Sequence, residues 1–465
     1  MSIIIPANSA AGGAGYQVDN SCRFNSGSSD SLTRTSTAGN KKTWTFSFWL
    51  KRSKLDVLQF IAFSDVANYF RMRITSGNVF EIFDSNTNKT WNWYPLLRDT
   101  SAWYHLVLRA DSTDGTNGNR LRLYINGTLA SANTVGSIPL NYDFSFNQGG
   151  LFNIAEFSSN NYLDGYLAET ILIDGSALAP DSFGEFDEDS GIWKPIDVSG
   201  LTFGDEGFYL DFEDSGALGA DVSGNSNNFT VNNLTAIDQT TDTPTNNFAT
   251  LNVLDGASMA ENATFSQGNT TVVCSGTDYT PYGTTIGVSK GKWYAEFKAN
   301  ANMGDGIVGV FANYSGDLAL TRYADSYGWY NASGGNIKTA DSNMSGGASV
   351  GTYATNDIIQ IALDLDNNKL HFNKNNTGWL NSGNPATNAG GYAITDPDST
   401  SLGFYFMSAI DWGGGVRGNW SCNFGNGFFG TTAVTTAGTN ASGNGIFEYD
   451  VPTGFTALST KGLNL

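Results

Sequence analysis

The clearest hydrophobic–polar pattern in the chain is the segment DIIQIALDLDNNKLHFNKNNTGW, which runs from Asp357 to Trp379. Apolar and polar residues alternate on both sides of an Asp-Asn-Asn turn. The alternation places five apolar side chains on one face: Ile361, Leu363, Leu365, Leu370 and Phe372. Period-2 alternation interrupted by Asn and Asp predicts two antiparallel strands joined by a tight turn, with these side chains in a core.

The same alternation recurs elsewhere and predicts further strands. One face of TWTFSFWLKRS carries Trp44, Phe46, Phe48 and Leu50. In GKWYAEFKA the inward positions are Trp293, Ala295 and Phe297, and the outward ones are Tyr294, Glu296 and Lys298. WYHLVLRAD and LRLYINGTLA are predicted as a strand pair, the second strand ending in a favoured Asn-Gly hairpin turn. No long stretch has a helical apolar period, so the predicted fold is nearly all-β.

Composition agrees with an all-β fold. The 465 residues include 55 Gly and only 10 Pro, and 13% are aromatic while 15% are charged. Many short strands joined by Gly, Asn, Ser and Thr loops have this mixture. A chain of this length can form two or three domains with sizeable cores.

The first half of the chain resembles the LamG-like, concanavalin A-type sandwich. SCRFNSGSSDSLTRT, TWTFSFWLKRS, WYHLVLRAD, LRLYINGTLA and YLDGYLAETILIDGSAL follow the family's order between Tyr16 and Leu178. The resemblance implies a sandwich over residues 1–240, including a connecting region in which FYLDF packs on the sandwich. The segment SALAPDSFGEFDEDSGIWKP resembles a continuation found in marine phage structural proteins.

The second half resembles a SPRY domain. GKWYAEFKA, GIVGVF, SYGWYNASGGNI, the hairpin described above and SCNFGNGFF follow that family's order. The resemblance implies a second sandwich over residues 241–435, and SPRY domains bind partners without doing chemistry. The loop from Ala312 to Tyr327 departs from the family's phrasing, so ligand specificity does not transfer. The predicted fold is therefore two antiparallel β-sandwiches in tandem.

The C-terminal segment NGIFEYDVPTGFTALSTKGLNL resembles the ending of phage tail and virion proteins. We expect residues 436–465 to form a docking tail that packs on the second sandwich or on a neighbouring subunit. The chain has no sustained heptad and no collagen repeat, so a trimeric coiled coil is not encoded.

Charge excludes some partners. The chain has 44 acidic and 24 basic residues, a formal net charge of −20. Such a chain repels nucleic acid and anionic membranes, so we expect no nucleic-acid partner. No apolar run reaches transmembrane length, so we expect no membrane insertion. The N-terminus lacks the basic region of a secretory signal, and we expect a virion protein assembled in the host cytoplasm.

The three cysteines do not form a disulfide framework. Cys22 lies in an alternating run and is predicted as a small core residue. Cys274 and Cys422 lie near the two ends of the second domain, so either a bridge or two reduced thiols fit the sequence. No CxxC pair is present, which leaves zinc unsupported.

The sequence offers little for catalysis. His105 and His371 lie within strands and have no candidate nucleophile on a loop beside them. The acidic run beginning at Glu185 lacks the alternating carboxylates of glycan-cutting concanavalin A-like enzymes, and Asp364 and Asp366 fit a strand end. We therefore expect a protein that is not an enzyme.

Calcium is the one cofactor that deserves consideration, because LamG-like domains often hold it through loop carboxylates and carbonyls. Asp211, Asp221 and Asn225 supply hard oxygen donors in a loop. Turn formation by Asp and Asn is the alternative explanation for these residues.

Three segments combine aromatic residues with amide or carboxylate groups, as sugar recognition requires. The candidate ligand-binding residues are Trp91, Trp93, Tyr327, Trp329, Tyr330, Asn331, Asp411 and Trp412. The alternative is that these aromatic side chains pack in the two cores or at subunit contacts.

Together these observations predict a phage virion protein, a tail or fibre-like component that adheres to a host surface glycan or protein without catalysis. The alternative is a head-decoration or minor capsid protein that binds neighbouring subunits. A glycan depolymerase ranks third. The expected partners are other virion proteins, further copies of this chain and the host surface. These functional expectations rest on fold analogy.

Overall fold

The computed structural model describes residues 15–65, 69–134, 136–158, 161–254, 263–274, 282–301, 303–313, 324–344, 346, 348–411 and 418–464. Across these residues the regular structure consists of β-strands and short 3-10 helices, without an α-helix. The all-β fold class predicted from the sequence is confirmed. The chain divides between Asn246 and Asn247 into two compact units.

The first unit contains β1 to β20. Their bounds are Ser21–Phe24, Ser31–Ser36, Thr43–Arg52, Gln59–Asp65, Phe70–Ile74, Phe80–Asp84, Lys89–Tyr94, Trp103–Asp111, Leu121–Ile125, Thr128–Leu129, Ser131–Thr134, Gly150–Ile154, Glu156–Phe157, Asn161–Tyr162, Gly165–Asp174, Gly184–Phe186, Trp193–Pro195, Phe208–Leu210, Thr230–Asn232 and Gln239–Thr240. Its 3-10 helices are Asn117–Asn119, Pro180–Ser182 and Ala236–Asp238.

Two large antiparallel sheets form the first sandwich. Sheet A has the strand order β10-β9-β8-β3-β15-β1-β20, with β18 also paired to β15. Sheet B has the order β11-β7-β6-β5-β4-β12-β2-β19. Trp44, Phe46, Phe48 and Leu50 lie in the core between the sheets, as their alternation predicted. Cys22 is a buried core residue as well, which confirms its prediction.

The outer face of sheet A is covered by the chain itself. An apolar cluster there joins Ile171 and Ile173 of β15 to Phe203 and Tyr209 of the connecting region. The strand FYLDF pairs with β15 through Phe208–Leu210, which confirms its predicted packing on the first sandwich. The outer face of sheet A is therefore closed over this cluster, and it also buries polar side chains that include Lys51 and His105.

The second unit contains β21 to β35. Their bounds are Ala263–Ser266, Thr271–Cys274, Lys292–Ala301, Gly306–Phe311, Ser326–Tyr330, Asn336–Thr339, Ser342–Asn343, Ile358–Asp364, Lys369–Lys374, Tyr392–Ala393, Phe406–Asp411, Asn419–Asn423, Phe428–Phe429, Thr432–Ala433 and Thr456–Ala457. Its 3-10 helices are Met303–Asp305, Pro385–Thr387, Pro397–Ser399 and Gly462–Asn464.

The second sandwich packs sheet C, with the order β21-β22-β32-β23-β28-β29-β30, on sheet D, with the order β27-β26-β25-β24-β31. The predicted hairpin is confirmed as β28 and β29, with Leu363 opposite Leu370 and Ile361 opposite Phe372. Its five alternating apolar residues all lie in the core between sheets C and D. Cys274 and Cys422 are buried in this unit as free thiols.

The C-terminal segment packs on the outer face of sheet C. Its strand β35 pairs in parallel with β23. Phe447, Val451 and Phe455 form an apolar cluster with Tyr294 and Ala362 of the sheet. Tyr294 therefore points away from the core between the sheets, as predicted. Its side chain is nevertheless fully buried, because the C-terminal segment covers it. None of the described helices is long and apolar enough to cross a membrane.

Candidate functional site

The first two predicted stacking residues lie in the core of the first sandwich. Trp91 and Trp93 are only 1% and 2% exposed. They belong to β7, where alternation turns both indoles inward and leaves Thr90 and Asn92 on the outer face. Their burial fits the alternative explanation of core packing, because the alternation of this segment is that of a strand.

Trp329 and Asn331 do not form an exposed ligand surface either. Trp329 is 1% exposed, and its indole Nε1 donates to the carbonyl of Gly351 at 3.0 Å. Asn331 is 6% exposed and donates to the carbonyls of Met303 and Tyr353. The aromatic packs in the core and the amide satisfies buried backbone groups, so this pair stabilises the fold.

The remaining predicted residues are not brought together on one face. Tyr327 is buried and hydrogen-bonds with the Thr395 hydroxyl at 2.9 Å. Tyr330 is half-buried, and its hydroxyl donates to Asp305 at 3.0 Å. Asp411 is the last residue of β31, and Trp412 lies outside the described residues.

The proposed calcium ligands form turns. The carboxylate of Asp221 accepts hydrogen bonds from four donors: the backbone N–H group of Tyr209 in β18, and the backbone N–H groups of Ser223 and Asn227 and the hydroxyl of Ser223 in its own loop. Asp211 accepts from the N–H of Glu213, and Asn225 donates to the carbonyls of Gly204 and Gly207. Within the described residues, no group of three His, Cys, Asp or Glu side chains could hold a metal ion. These contacts fit the alternative of turn formation.

His105 contacts a serine, but the protonation pattern opposes nucleophilic catalysis. The indole of Trp193 donates to His105 Nδ1 at 2.9 Å. Burial lowers the pKa of His105 to about 3 and keeps the ring neutral, so Nε2 carries the proton and donates to Ser47 at 2.9 Å. A general base must instead accept the proton of the nucleophile. Both side chains are 1% exposed, which also keeps substrate away.

The carboxylates named in the sequence analysis have structural partners. Asp364 is fully buried and pairs with Lys292 at 3.0 Å, while Glu185 pairs with Lys194 at 3.3 Å. Glu169 was missed. Burial raises the pKa of this carboxyl to about 7, and the hydroxyl of Tyr209 donates to it at 2.8 Å.

The outer face of sheet B is the most distinctive surface of the first unit. We call the residues whose side chains point to this face the outer band: Thr33, Phe60, Phe63, Arg71, Arg73, Glu81, Phe83, Thr90, Asn92 and Asn153. Phe60, Phe63 and Asn153 are buried within it. Two rows of cross-strand partners make up the band. The long row is Thr90, Phe83, Arg71, Phe63, Asn153 and Thr33, and the short row is Asn92, Glu81, Arg73 and Phe60. Five strand spacings of about 4.8 Å make the long row about 24 Å long.

Aromatic rings and guanidinium groups pack on each other in the outer band. The guanidinium carbon of Arg71 lies 4.6 Å from the ring centre of Phe83. Phe157, from the short β13–β14 hairpin, stacks on Phe60 with ring centres 4.4 Å apart. Phe83 and Phe157 are half-buried, so part of each ring faces out. Such a surface can stack on the C–H face of a ligand.

Several polar groups of the outer band have no partner among the described residues. Arg71 Nε, Asn92 Oδ1 and Asn153 Oδ1 are buried atoms without a hydrogen bond. Asn153 is only 3% exposed as a whole residue. Buried polar atoms are nearly always paired in folded proteins, with the protein or with ordered water, and these three atoms mark the polar part of this face.

Sequence reasoning missed this face, although its signal was present. In the segment YFRMRI, Phe70, Met72 and Ile74 take the core side, while Arg71 and Arg73 take the other side. Two arginines at alternate positions of one strand, in a chain with a net charge of −20, mark the face.

Comparison with known proteins supports the fold of the first unit. The profile of a laminin G-type family, described as the concanavalin A-like lectin/glucanases superfamily, matches residues 25–181. This match covers most of the first sandwich and includes most residues of the outer band. No significant match to a curated protein was found.

Solved structures resemble parts of the chain at low identity. A heptameric SAP-like pentraxin from Limulus polyphemus is 16% identical, with 35% of this chain and 78% of that chain covered and a TM-score of 0.27. The SPRY domain of human HERC1 is 13% identical, with 34% and 91% covered and a TM-score of 0.25. Domain 4 of the arabinanase AbnA from Geobacillus stearothermophilus, solved with arabinotriose, is 17% identical, with 30% and 65% covered and a TM-score of 0.24. At these TM-scores the similarities carry no functional argument.

Proposed function

We propose that this chain is a bacteriophage virion protein, a tail or fibre-like component, and that its outer band adheres to a glycan on the host surface without catalysis. The observation that carries the adhesion proposal is the set of half-buried rings and unpartnered polar atoms on one sheet face. The match of residues 25–181 to a lectin and glucanase superfamily supports a carbohydrate ligand. The phage-like phrases near residues 176–195 and 444–465 support the virion assignment.

The side chains that could have taken part in catalysis are held in structural contacts, which supports a binding role without catalysis. His105 donates to Ser47, and Asp364 is neutralised by Lys292. The outer band itself has one carboxylate, Glu81, which is engaged by Arg73 at 2.5 Å. Glycoside hydrolysis needs two carboxyl groups facing each other across the scissile bond.

The first test is binding of the purified full chain to a panel of bacterial surface polysaccharides. Wild type is expected to bind at least one of them, and Phe83→Ala is expected to weaken that binding about tenfold or more, the usual effect of losing one aromatic contact. Phe186→Ala is the matched control, because this ring is 52% exposed in the same unit but lies outside the outer band. Circular dichroism confirms that both variants fold.

Four outcomes would contradict the proposal. Wild type that binds no polysaccharide favours the head-decoration alternative. Equal losses in Phe83→Ala and Phe186→Ala remove the outer band from consideration. Shortening of the polysaccharide during incubation, followed by size-exclusion chromatography, favours a depolymerase. Antibody labelling of virions in the electron microscope separates tail from head, and uniform head labelling would overturn the tail assignment.

A further inference from the structure

Arg71 lies near the middle of the outer band with its charge unpaired. Its cross-strand neighbours are the rings of Phe83 and Phe63. Among the described residues the guanidinium has no salt bridge, and its Nε is buried without an acceptor. Arg71 is half-buried, so its guanidinium lies at the surface beside the rings and can pair with an acceptor that comes from outside the sandwich.

The neighbouring arginine on the same strand differs. Arg73 pairs with Glu81 at 2.5 Å, so the carboxylate of the band is already engaged. Burial and the positive charge of Arg73 lower the pKa of Arg71, which remains a cation because guanidinium groups stay protonated in proteins. The described side chains of the band thus carry two arginines and one carboxylate, and the excess positive charge is at Arg71.

Two amide oxygens accompany this cation. Asn153 lies two strands from Arg71 in the long row, and Asn92 belongs to the short row on β7. Each has an unpaired, buried Oδ1. An amide oxygen accepts only from O–H or N–H donors. Both oxygens lie beneath the accessible surface, so the ligand is selected by Arg71, which pairs with an anionic group.

The position of the band within the sheet distinguishes a sugar from a peptide. The rows run across strands that are hydrogen-bonded on both sides, such as β5 between β4 and β6. An extended peptide that binds a sheet usually adds a strand to an edge, where backbone groups are free. C–H faces for the rings and an acid group for Arg71 occur together in acidic sugars.

Building on the glycan-binding function proposed above, we infer that the outer band recognises an acidic polysaccharide. Arg71 pairs with a carboxylate of the sugar, and the half-buried ring of Phe83 beside it packs on a C–H face of the sugar. With a net charge of −20 the chain as a whole repels such a polymer. Because screening at physiological salt acts over about 8 Å, the attraction of Arg71 operates at contact.

The test uses a panel of acidic bacterial capsular polysaccharides, each beside its own carboxyl-reduced, neutral form. The full chain is compared with Arg71→Gln and with Arg98→Gln, an exposed arginine outside the band that matches the change in net charge. We expect carboxyl reduction to weaken wild-type binding about tenfold or more, as for a lost charge-assisted hydrogen bond. Arg71→Gln is expected to lose as much on the acidic form and nothing on the neutral form, while Arg98→Gln behaves as wild type.

The outcomes separate the two proposals. Equal wild-type binding to the acidic and neutral forms would overturn the acidic-ligand inference and leave glycan adhesion standing. No binding to either form would overturn both. Equal losses in Arg71→Gln and Arg98→Gln would reduce the effect to net charge and overturn the role of Arg71. Tighter binding of poly-glutamate than of any acidic polysaccharide would assign the face to an acidic peptide instead.

Discussion

The outer face of sheet B and the outer face of sheet C carry similar polar rows but differ in what covers them. The row on sheet C consists of Asn423, Glu296, Gln360 and Asn373, which are cross-strand partners on β32, β23, β28 and β29. All four are at most 1% exposed. The C-terminal segment covers this row, whereas the outer band of sheet B faces outward with the ring of Phe83 half-buried and the rings of Phe60 and Phe63 buried.

Coverage by the chain's own backbone satisfies the polar row of sheet C. Glu296 accepts hydrogen bonds from the N–H groups of Glu448 and Tyr449, both at 2.9 Å, and from the Tyr294 hydroxyl at 3.0 Å. Asn423 Oδ1 accepts from two backbone N–H groups in the loop that follows it. On sheet B, by contrast, Arg71, Asn92 and Asn153 each retain an unpaired atom. On the closed face His371 also has two unpaired ring nitrogens, so the two faces differ in what covers them more than in the pairing of their polar atoms.

The largest effect is expected at the closed face of sheet A. The ammonium of Lys51 and the carboxylate of Asp242 are 2.7 Å apart, with side chains 1% and 2% exposed, and Trp103 Nε1 also donates to Asp242. Asp242→Ala leaves a buried ammonium without its counter-ion, so it should destabilise the first unit by about 3–5 kcal/mol. Urea unfolding measures the change. The exposed Asp189→Ala is the control, and a loss below about 1 kcal/mol for Asp242→Ala would show that the closed face tolerates an unpaired charge.

The second effect is a pH dependence at the closed face of sheet C. Burial raises the pKa of Glu296 from 4.5 to about 7. The folded state therefore binds this proton more tightly than the unfolded state. Its stabilising contribution is complete below pH 4.5 and is lost as the pH rises through about 7, by up to about 3 kcal/mol.

Urea unfolding of the full chain between pH 4.5 and 8 tests this dependence. The non-titrating variant Glu296→Gln should lose the slope of second-unit stability with pH, whatever its constant cost. Glu448→Gln is the control and should keep the slope, because Glu448 contributes its backbone N–H to the contact. A slope that survives Glu296→Gln would assign the pH dependence to another group.

The smallest effect compares one asparagine from each face. Asn423→Ala leaves several buried groups of the closed face unpaired and should cost about 2–3 kcal/mol. Asn153→Ala removes an oxygen that has no partner, so the free energy of unfolding should change by less than about 1 kcal/mol. Thermal and urea unfolding of both variants check this. Equal costs would mean that Asn153 is satisfied in solution and would weaken the ligand-binding interpretation of sheet B.

The candidate site shows where sequence reasoning fails. The alternation in KTWNWY was sufficient to place Trp91 and Trp93 on one strand face, yet exposed aromatics were expected there. Trp329 is similar, since SYGWY forms β25 and its indole packs inward. An aromatic residue between polar ones signals a strand with a buried side as readily as a binding loop, because the side-chain period in a strand is two.

The sequence by itself determined the strands, their inward faces and the tight turns, because alternation and Asn or Asp turns are local properties of the chain. It was sufficient for the all-β class, the β28–β29 hairpin and the cores around Trp44 and Trp293. Only the tertiary structure decided which outward faces are closed. Glu296 and Arg71 are both polar residues on the outward face of a strand. Nothing in the sequence around Glu296 indicates that residues more than 150 positions away cover it. That coverage depends on long-range packing, which leaves one polar row satisfied by the protein and the other free for an external partner.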